Sequence, residues 1–265
     1  MKFIIMSDIH GNIWALKKCF KYIENMNFDA IIWCGDYVTD VPKGHEVLET
    51  IKMYAKKYKS YIIRGNREEY ILQYASNKHK DWKINTRYEN IVYTYESLTN
   101  NDIKWIKSLP KTIEIETKYG KIYVSHILNC EYVDKCKYKI FGHLHEQCEF
   151  VKDETKYIDP GSIGLNTNRA PGAQFTTLEI TDEYEIIEKY NVKYDIQKPI
   201  NEIKKLEMDI KGYRWGKLII KTIEKGIDYP QKCITEYNKL KNKYNITDES
   251  IEMWNKALDK TIIEE

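Results

Sequence analysis

Short apolar runs alternate with amphipathic segments over the first 65 residues, and this alternation constrains the fold more than any other feature. The apolar runs at residues 3–6, 30–34 and 61–64 have the length of buried strands. Residues 12–25 and 44–57, which lie between them, carry apolar side chains at helical spacing. A helix between successive strands is a crossover connection, which joins parallel strands. The sequence therefore predicts an α/β fold.

The second half of the predicted core has a different pattern. Residues 68–75 and 99–108 are predicted helices, and Pro110 ends the second one. Strand candidates then follow closely, with turns between them: 112–117, 121–125, 138–141, 147–151, 155–158, 175–180 and 184–194. Such spacing predicts an antiparallel or mixed sheet.

The last seventy or so residues are predicted to be helical. One apolar stripe runs from Ile203 through Ile210 to Gly226, and a final helix starts at Thr247. No internal repeat interrupts this division. We therefore expect two parts, an α/β core at residues 1–195 and a helical cap or lid at residues 196–265.

Charge and cysteine content narrow the function classes. The 42 Lys and Arg against 40 Asp and Glu give a net charge of +2, so no basic field favours polymeric nucleic acid as a partner. The six cysteines are far apart and form no C-x-x-C pair, which favours reduced cytoplasmic thiols over disulfides or a zinc ribbon. No apolar run approaches the ~18 residues of a membrane span. We expect a cytoplasmic protein without a membrane segment.

Side chains that can bind metals stand directly after five of the predicted strands. They are Asp8 and His10, Asp36, Asn66, His126, and His143 with His145. The carboxyl ends of strands in parallel α/β folds share one crevice, where ligands bind. The sequence therefore predicts a metal site that collects these seven side chains.

The spacing and chemistry of these residues point to two ions. In an extended exit loop, Asp8 and His10 point to the same side, as do His143 and His145, so each pair is expected to converge on a metal from one side. Seven ligands exceed the need of one ion, and Asp36 would bridge two ions about 3.5–4 Å apart. Mixed oxygen and imidazole ligands favour transition metals over Mg or Ca. We expect two divalent ions, manganese first, with Fe, Zn, Ni or Co as alternatives.

The order of the motifs resembles the calcineurin-like metallophosphoesterase superfamily. D-x-H, G-D, G-N, a lone H and G-H-x-H follow one another over residues 3–195, and residues 159–164 are similar to the family's N-P-G-S segment. The resemblance implies a four-layer sandwich of two mixed β-sheets flanked by helices, here with a C-terminal helical appendage. It also implies two ligand sets: Asp8, His10, Asp36 and His145 for one ion, and Asp36, Asn66, His126 and His143 for the other.

Two departures from the family pattern bear on the substrate. The motif G-D-x-x-D-R-G is typical of the protein-phosphatase branch. The segment that begins at Gly35 lacks the Arg and the final Gly of that motif. Arg67 follows Asn66 where many relatives carry a general-acid His; an arginine keeps its proton at neutral pH but can hold phosphate oxygens by a bidentate contact. The alternative for Arg67 is a surface ion pair with Glu68 or Glu69.

The remaining assignments concern catalysis and substrate contact. Catalytic roles fall on Asn66, Arg67 and His126, and substrate contacts on Asn12, Arg67 and Arg169. Arg169 either reaches the cleft or lies on the loop surface. His79 is expected on the surface, and His45 either there or facing the site.

A dinuclear phosphoesterase follows from these observations and from the resemblance. In-line attack by a hydroxide that bridges both ions would hydrolyse a small phosphorylated metabolite, either a nucleotide phosphodiester or a dinucleoside polyphosphate, as in the bacterial branch with phosphodiesterase and dinucleoside-polyphosphate hydrolase activity. Two other classes stay open: a scaffold of the same fold that binds a partner protein without catalysis, and a serine/threonine phosphoprotein phosphatase. The tail is expected either to act as a lid or to form a contact in a homo-oligomer.

Overall fold

A computed structural model describes residues 1–79, 81–82, 88–128 and 136–263. The strands are β1 Lys2–Met6, β2 Ala30–Trp33, β3 Ser60–Ile62, β4 Thr112–Ile115, β5 Ile122–Ser125, β6 Tyr138–Ile140, β7 Gln147–Lys152, β8 Thr155–Pro160, β9 Ala173–Ile180 and β10 Glu185–Val192. The helices are α1 Ile13–Ile23, α2 Gly44–Lys57, α3 Asn66–Ala75, α4 Glu89–Ser97, α5 Asn100–Ser108, α6 Gln197–Lys205, α7 Trp215–Lys225, α8 Tyr229–Tyr244 and α9 Ile251–Ile263.

The strands form two mixed sheets of five. In the first sheet, with order β10-β9-β1-β2-β3, the three N-terminal strands are parallel, and β9 and β10 are antiparallel to their neighbours. The second sheet has the order β4-β5-β6-β8-β7, with a parallel centre of β5, β6 and β8 and antiparallel edges. The predicted α/β fold with two mixed sheets flanked by helices is confirmed.

Two apolar layers hold this core together. The inward faces of both sheets meet in one buried cluster that includes Phe3, Ile32, Val124 and Ile158. Helices α1 to α5 pack on the outer face of the first sheet, where Trp33 is a central residue. The first sheet is therefore covered on both faces, as its unbroken apolar strands require. On the outer face of the second sheet, Phe150 is 41% exposed and stacks on Tyr157.

The C-terminal helices differ in detail from the predicted pattern. The stripe from Ile203 to Gly226 is broken between α6 and α7, where Leu206 and Ile210 are exposed. Glu207 has a left-handed backbone conformation just after α6, which an α-helix cannot continue through. The last helix starts at Ile251 rather than at Thr247.

The tail helices share a buried cluster with the core. Trp215, Leu218 and Trp254 are buried together with Val41 and Leu165, which come from the loops of the core. The tail is thus packed against the loops that follow β2 and β8. In the described ranges, no helix has both the length and the apolar character needed to cross a membrane.

The cysteines that the structure describes are free thiols: Cys19, Cys34, Cys136, Cys148 and Cys233. Burial raises the pKa of Cys34 well above its ordinary value, and the pKa of Cys233 to about 12. These thiols are therefore poor nucleophiles. The sixth cysteine, Cys130, lies outside the described residues.

Candidate metal centre

The structure brings the seven predicted side chains together at the carboxyl ends of β1, β2, β3, β5 and β6. Two groups can be distinguished by the distances between their ligand atoms, which all lie within 4.8 Å of one another inside each group. One group is Asp8, His10 and His145, and the other is Asp36, His126 and His143. Asn66 adjoins the second group, with its Oδ1 2.9 Å from His126 Nε2.

Asp36 lies between the two groups. Its Oδ2 is 3.3 Å from His126 Nε2 and 3.9 Å from His10 Nε2. The carboxylate is buried and faces a histidine of each group. Its position suits a ligand shared by two ions.

The loops that carry these residues are not extended. Five of the seven side chains sit on left-handed backbone, with φ of 54° at Asp8, 49° at His10, 55° at Asp36, 75° at His143 and 60° at His145. Such strained positions in non-glycine residues cluster at functional sites. The expectation that His143 and His145 converge on one metal from one side was wrong, because it assumed an extended strand; the two belong to different groups.

Glycines permit close approach between the loops. A Cβ on Gly142 would lie 2.0 Å from Ser7 Oγ and 2.8 Å from Asp8 Oδ2, and a Cβ on Gly65 would lie 2.2 Å from Asp36 Oδ1. Neither glycine needs positive φ. Their lack of a side chain leaves space for the carboxylates of Asp8 and Asp36.

The ring nitrogens and carboxylates face each other as acceptors. His145 Nδ1 donates to the Leu165 carbonyl at 2.8 Å, and His10 Nδ1 to the Asp40 carboxylate at 2.8 Å. When both rings are neutral, each Nε2 carries a lone pair, and the two nitrogens lie only 3.0 Å apart. Asp8 Oδ1 beside them is buried without a hydrogen-bond donor among the described residues. A cation between such acceptors, either a proton or a metal ion, removes their repulsion, and the imidazole and carboxylate ligands gathered here fit divalent metal ions.

The buried carboxylates also determine the pKa values of His10 and His126. Burial by itself would lower the pKa of His10, but the hydrogen bond to Asp40 and the nearby carboxylates of Asp8 and Asp36 outweigh it and raise that pKa to about 9. Burial opposes the charged form of His126 as well, while Asp36 raises its pKa to about 10. In the metal-free protein, His10 and His126 thus hold protons at neutral pH. Metal ions would displace those protons, since imidazole ligands bind in the neutral form.

Glu68 holds the Asp36 loop in place, a role that was not predicted from the sequence. Its buried carboxylate accepts hydrogen bonds from the backbone N–H groups of Asp36 (2.9 Å), Tyr37 (2.8 Å) and Gly65 (2.8 Å). Burial, together with the nearby charge of Asp36, raises the pKa of Glu68 to about 7. The signal was present: an acid three residues after a helix N-cap is typical of a capping box.

Arg67 lies over the centre, so the alternative prediction of a surface ion pair with Glu68 or Glu69 was wrong. Its Nε is 3.8 Å from Asp36 Oδ2, and its Nη2 is 3.8 Å from Asp40 Oδ2. Glu68 is engaged with backbone, and Glu69 pairs with Arg64 instead. The Arg67 side chain lines the cavity above the metal groups.

Two cavities open onto the centre. The first, of about 460 Å³, has His143 and His145 at its floor and continues between the core and the tail, where Ile219 and Ile234 line it. Its wall also carries the aromatic residues Tyr70, Trp82 and Tyr88. The second, of about 400 Å³, has Asn66, His126, Lys111 and Tyr123 among its lining residues. Asn66 belongs to both cavities.

Asn12 and Arg169 lie away from the first cavity. The buried Asn12 amide donates to the Gly164 carbonyl at 3.1 Å and to the Tyr194 hydroxyl at 2.9 Å, and its oxygen caps α1 at Ala15 N. These bonds use both of its hydrogens, so the predicted substrate contact is replaced by a structural role. Arg169 is exposed and lines a neighbouring groove beside α8 that shares Asp228 and Gln231 with the first cavity, so of its two expected positions the loop surface is the one observed.

The other two histidines lie outside the centre. His45 Nδ1 is 2.7 Å from Asp102 Oδ2, next to the start of α5. His79 stacks on Trp82, with ring centroids 4.0 Å apart. His79 is therefore part of an aromatic cluster rather than a fully solvated surface residue.

Comparisons with known proteins identify the family of this chain. Residues 1–183 match the family model of the calcineurin-like phosphoesterase superfamily domain. An uncharacterized protein of Methanocaldococcus jannaschii is 27% identical over 231 residues, which is 76% of this chain and 91% of that protein. A phosphodiesterase of the same organism is 26% identical over 165 residues, 61% of this chain and 83% of that one.

Solved structures show the same fold. A hypothetical protein from Pyrococcus horikoshii superposes with a TM-score of 0.71 at 20% identity, covering 85% of this chain and 98% of that one. A metallophosphoesterase from Sphaerobacter thermophilus gives a TM-score of 0.67 at 18% identity, covering 86% and 100%. The chain belongs to the calcineurin-like phosphoesterase superfamily and is a metal-dependent phosphoesterase.

Proposed function

We propose that this chain uses two metal ions to hydrolyse a nucleotide phosphodiester or a dinucleoside polyphosphate. Asp8, His10 and His145 would hold one ion, and Asn66, His126 and His143 the other, with Asp36 shared. The observation that supports this proposal most directly is the pair of facing ligand groups with the buried Asp36 carboxylate between them. Manganese is the metal we propose first, because mixed carboxylate, amide and imidazole ligands suit it better than Mg or Ca.

Bound divalent ions would lower the pKa of a water and polarise phosphoryl oxygens. The protein's own residues supply the rest. The Arg67 guanidinium on the cavity wall can contact a phosphate oxygen and neutralise charge, but it cannot donate a proton. Asn66 can donate from its amide nitrogen while its oxygen faces His126. His126 donates through Nδ1 to the Cys34 carbonyl, which fixes its ring as a ligand rather than a proton shuttle.

The two cavities support a substrate with groups on both sides of the phosphate. Both reach Asn66, so a phosphoryl group there would have one arm in each cavity. A volume of about 460 Å³ lies in the range of small-molecule sites. Aromatic side chains on its wall provide surfaces for a nucleoside. A diester fits this arrangement better than a monoester.

The position of the C-terminal helices supports their proposed role as a cap over the first cavity. Ile219 of α7 and Ile234 of α8 line that cavity opposite the metal groups. Residues 196–265 would thereby restrict the site to a molecule small enough to enter, which disfavours a folded phosphoprotein. We further propose a cytoplasmic location, which the free cysteines support.

Hydrolysis by the metal-loaded chain tests the proposed activity. We expect manganese-loaded protein to cleave an activated phosphodiester, and Asp36→Asn to lower kcat by at least about 100-fold because a shared ligand is weakened. Asp182→Asn is the matched control, since Asp182 is exposed and pairs with Lys118 far from the centre. Equal activity of wild type and Asp36→Asn would contradict the proposal. Absent activity and absent metal binding would favour a scaffold.

A bulky substitution in the cap tests the substrate. Ile234→Trp should fill part of the first cavity and raise KM for a dinucleotide while leaving hydrolysis of bis-(p-nitrophenyl) phosphate nearly unchanged. Thr235→Trp is the control, because Thr235 is the next residue on α8 and faces the other groove. Steady-state kinetics on both substrates decides. Equal effects of the two variants on the dinucleotide would argue against a nucleoside subsite under the cap.

A further inference from the structure

Asp40 connects the metal centre with the C-terminal helices. The carboxylate is 2% exposed and accepts four hydrogen bonds. Oδ2 accepts from His10 Nδ1 at 2.8 Å and from Thr39 Oγ1 at 2.9 Å. Oδ1 accepts from Asn90 Nδ2 at 2.8 Å and from Trp215 Nε1 at 2.7 Å. Both oxygens of one buried carboxylate are thus held by separate parts of the chain.

Each donor fixes a different degree of freedom. The bond to His10 sets the tautomer of that ring and directs its Nε2 towards Asp8 and His145. The bonds from Asn90 and Trp215 hold the opposite oxygen, so the carboxylate plane cannot rotate away from His10. Hydrogen bonds to a buried charge are among the stronger ones.

Trp215 is the contribution of the tail to this network. It is the first residue of α7, it is buried, and its ring stacks on Trp254 within the tail cluster. An indole N–H can only donate, and here its acceptor is the buried Asp40 carboxylate at 2.7 Å. The indole is therefore held between the C-terminal helices, on which its ring packs, and the Asp40 carboxylate of the core.

We propose that Asp40 is a positioning residue for His10, and that Trp215 makes the docked C-terminal helices a part of the metal centre's affinity. The tail would then act on the site in two ways, as a wall of the cavity and as a brace for one ligand. This inference rests on the proposed function only in that the centre binds metal.

The test measures metal affinity of the full-length, metal-stripped protein by titration calorimetry with Mn²⁺. Second-sphere changes typically cost 10–100-fold in metal affinity. We expect Asp40→Asn to lower the affinity for the ion that His10 holds by about 10-fold or more. The affinity for the other ion should fall less. Trp215 is one hydrogen bond further from His10 than Asp40 is, so Trp215→Phe should lower the affinity for the same ion by roughly 3- to 10-fold.

Trp254→Phe is the matched control. It removes an indole donor that bonds to the Tyr213 carbonyl at 2.6 Å within the same cluster, removes no donor to Asp40, and keeps an aromatic ring against Trp215. Its melting temperature should fall about as much as that of Trp215→Phe, with manganese affinity unchanged. Equal affinity of wild type, Asp40→Asn and Trp215→Phe would overturn the inference, as would an equal loss in both tryptophan variants. A wild-type chain that binds no manganese would instead overturn the proposed function.

Discussion

Strain is concentrated at the residues that form the candidate metal centre. Five of the seven side chains sit on left-handed backbone, a conformation that costs of order 1–3 kcal/mol for each non-glycine residue. Backbone hydrogen bonds between neighbouring loops hold these positions, such as Asp8 N to the Gly35 carbonyl at 3.0 Å and His10 N to the Asp36 carbonyl at 3.0 Å. The loops after β1 and β2 thereby support each other and hold in place the side chains that converge on the centre.

Gly142→Ala should disturb this arrangement directly. The added Cβ would lie 2.0 Å from Ser7 Oγ and 2.8 Å from Asp8 Oδ2, so the exit of β1 or β6 must move. We expect a destabilisation of about 1–3 kcal/mol by urea unfolding and at least a ten-fold loss of Mn²⁺ affinity by calorimetry. Gly44→Ala is the control: its Cβ meets no atom closer than 3.3 Å, at the start of α2. Unchanged manganese affinity in Gly142→Ala would refute the spacing role.

The sequence could identify all seven side chains of the centre, because each one directly follows an apolar run. It could not identify Asp40 and Glu68 as supports. Their partners, Trp215 for Asp40 and the Tyr37 N–H for Glu68, depend on how the tail and the loops pack. The grouping of His143 apart from His145 also depended on backbone dihedral angles, which the two-residue spacing does not determine.

At the level of elements, helix α5 is anchored by a buried charge. Asp102 Oδ2 accepts from Thr99 N at 2.9 Å and from His45 Nδ1 at 2.7 Å, and its Oδ1 accepts from Lys52 Nζ at 2.8 Å. The Thr99 side chain in turn accepts a hydrogen bond from Asp102 N, which completes a capping box. These bonds join α2 to α5 on the outer face of the first sheet. Burial opposes the ionised form, but Lys52, Thr99 and His45 hold the pKa of Asp102 well below its model-compound value of 3.8.

Asp102→Asn should therefore cost stability in a pH-dependent way. A carboxyl with a lowered folded-state pKa stabilises the protein above its unfolded-state value of about 3.8, and that contribution is lost as the pH falls below it. We expect a loss of about 2 kcal/mol at pH 7 that shrinks between pH 4 and pH 2. Urea unfolding at several pH values measures it, with Asp182→Asn as the exposed control. A pH-independent difference would contradict the assignment.

Strands and N-terminal helices were predictable because their apolar periodicity is strong. Helix α4 was missed, since its buried positions include the polar residues Glu89 and Asn90, whose burial depends on tertiary partners. Tyr213 N, for example, donates to both Glu89 carboxylate oxygens at 3.2 Å. The break between α6 and α7 was hidden by apolar residues at helical spacing that turn out to be exposed.

At the scale of the whole molecule, the tail and the core meet at the metal centre. Trp215 bonds to Asp40, the Gly226 carbonyl accepts from Arg169 N at 2.7 Å, and the tail cluster includes Val41 and Leu165. The helical part predicted from the sequence is thus real, but its division from the core at residue 196 remains a proposal. Contacts between distant parts of a chain cannot be derived from local periodicity, and these contacts shape the cavity.

The most direct test of the dinuclear centre is an electron paramagnetic resonance titration of the metal-stripped full chain with Mn²⁺. We expect the signal of free manganese to stay low until two ions per chain have been added, and the bound ions to give the broadened spectrum of a coupled pair, because Asp36 lies within 4 Å of a histidine from each group. Saturation at one uncoupled ion per chain, or free manganese from the first addition, would contradict a two-metal centre.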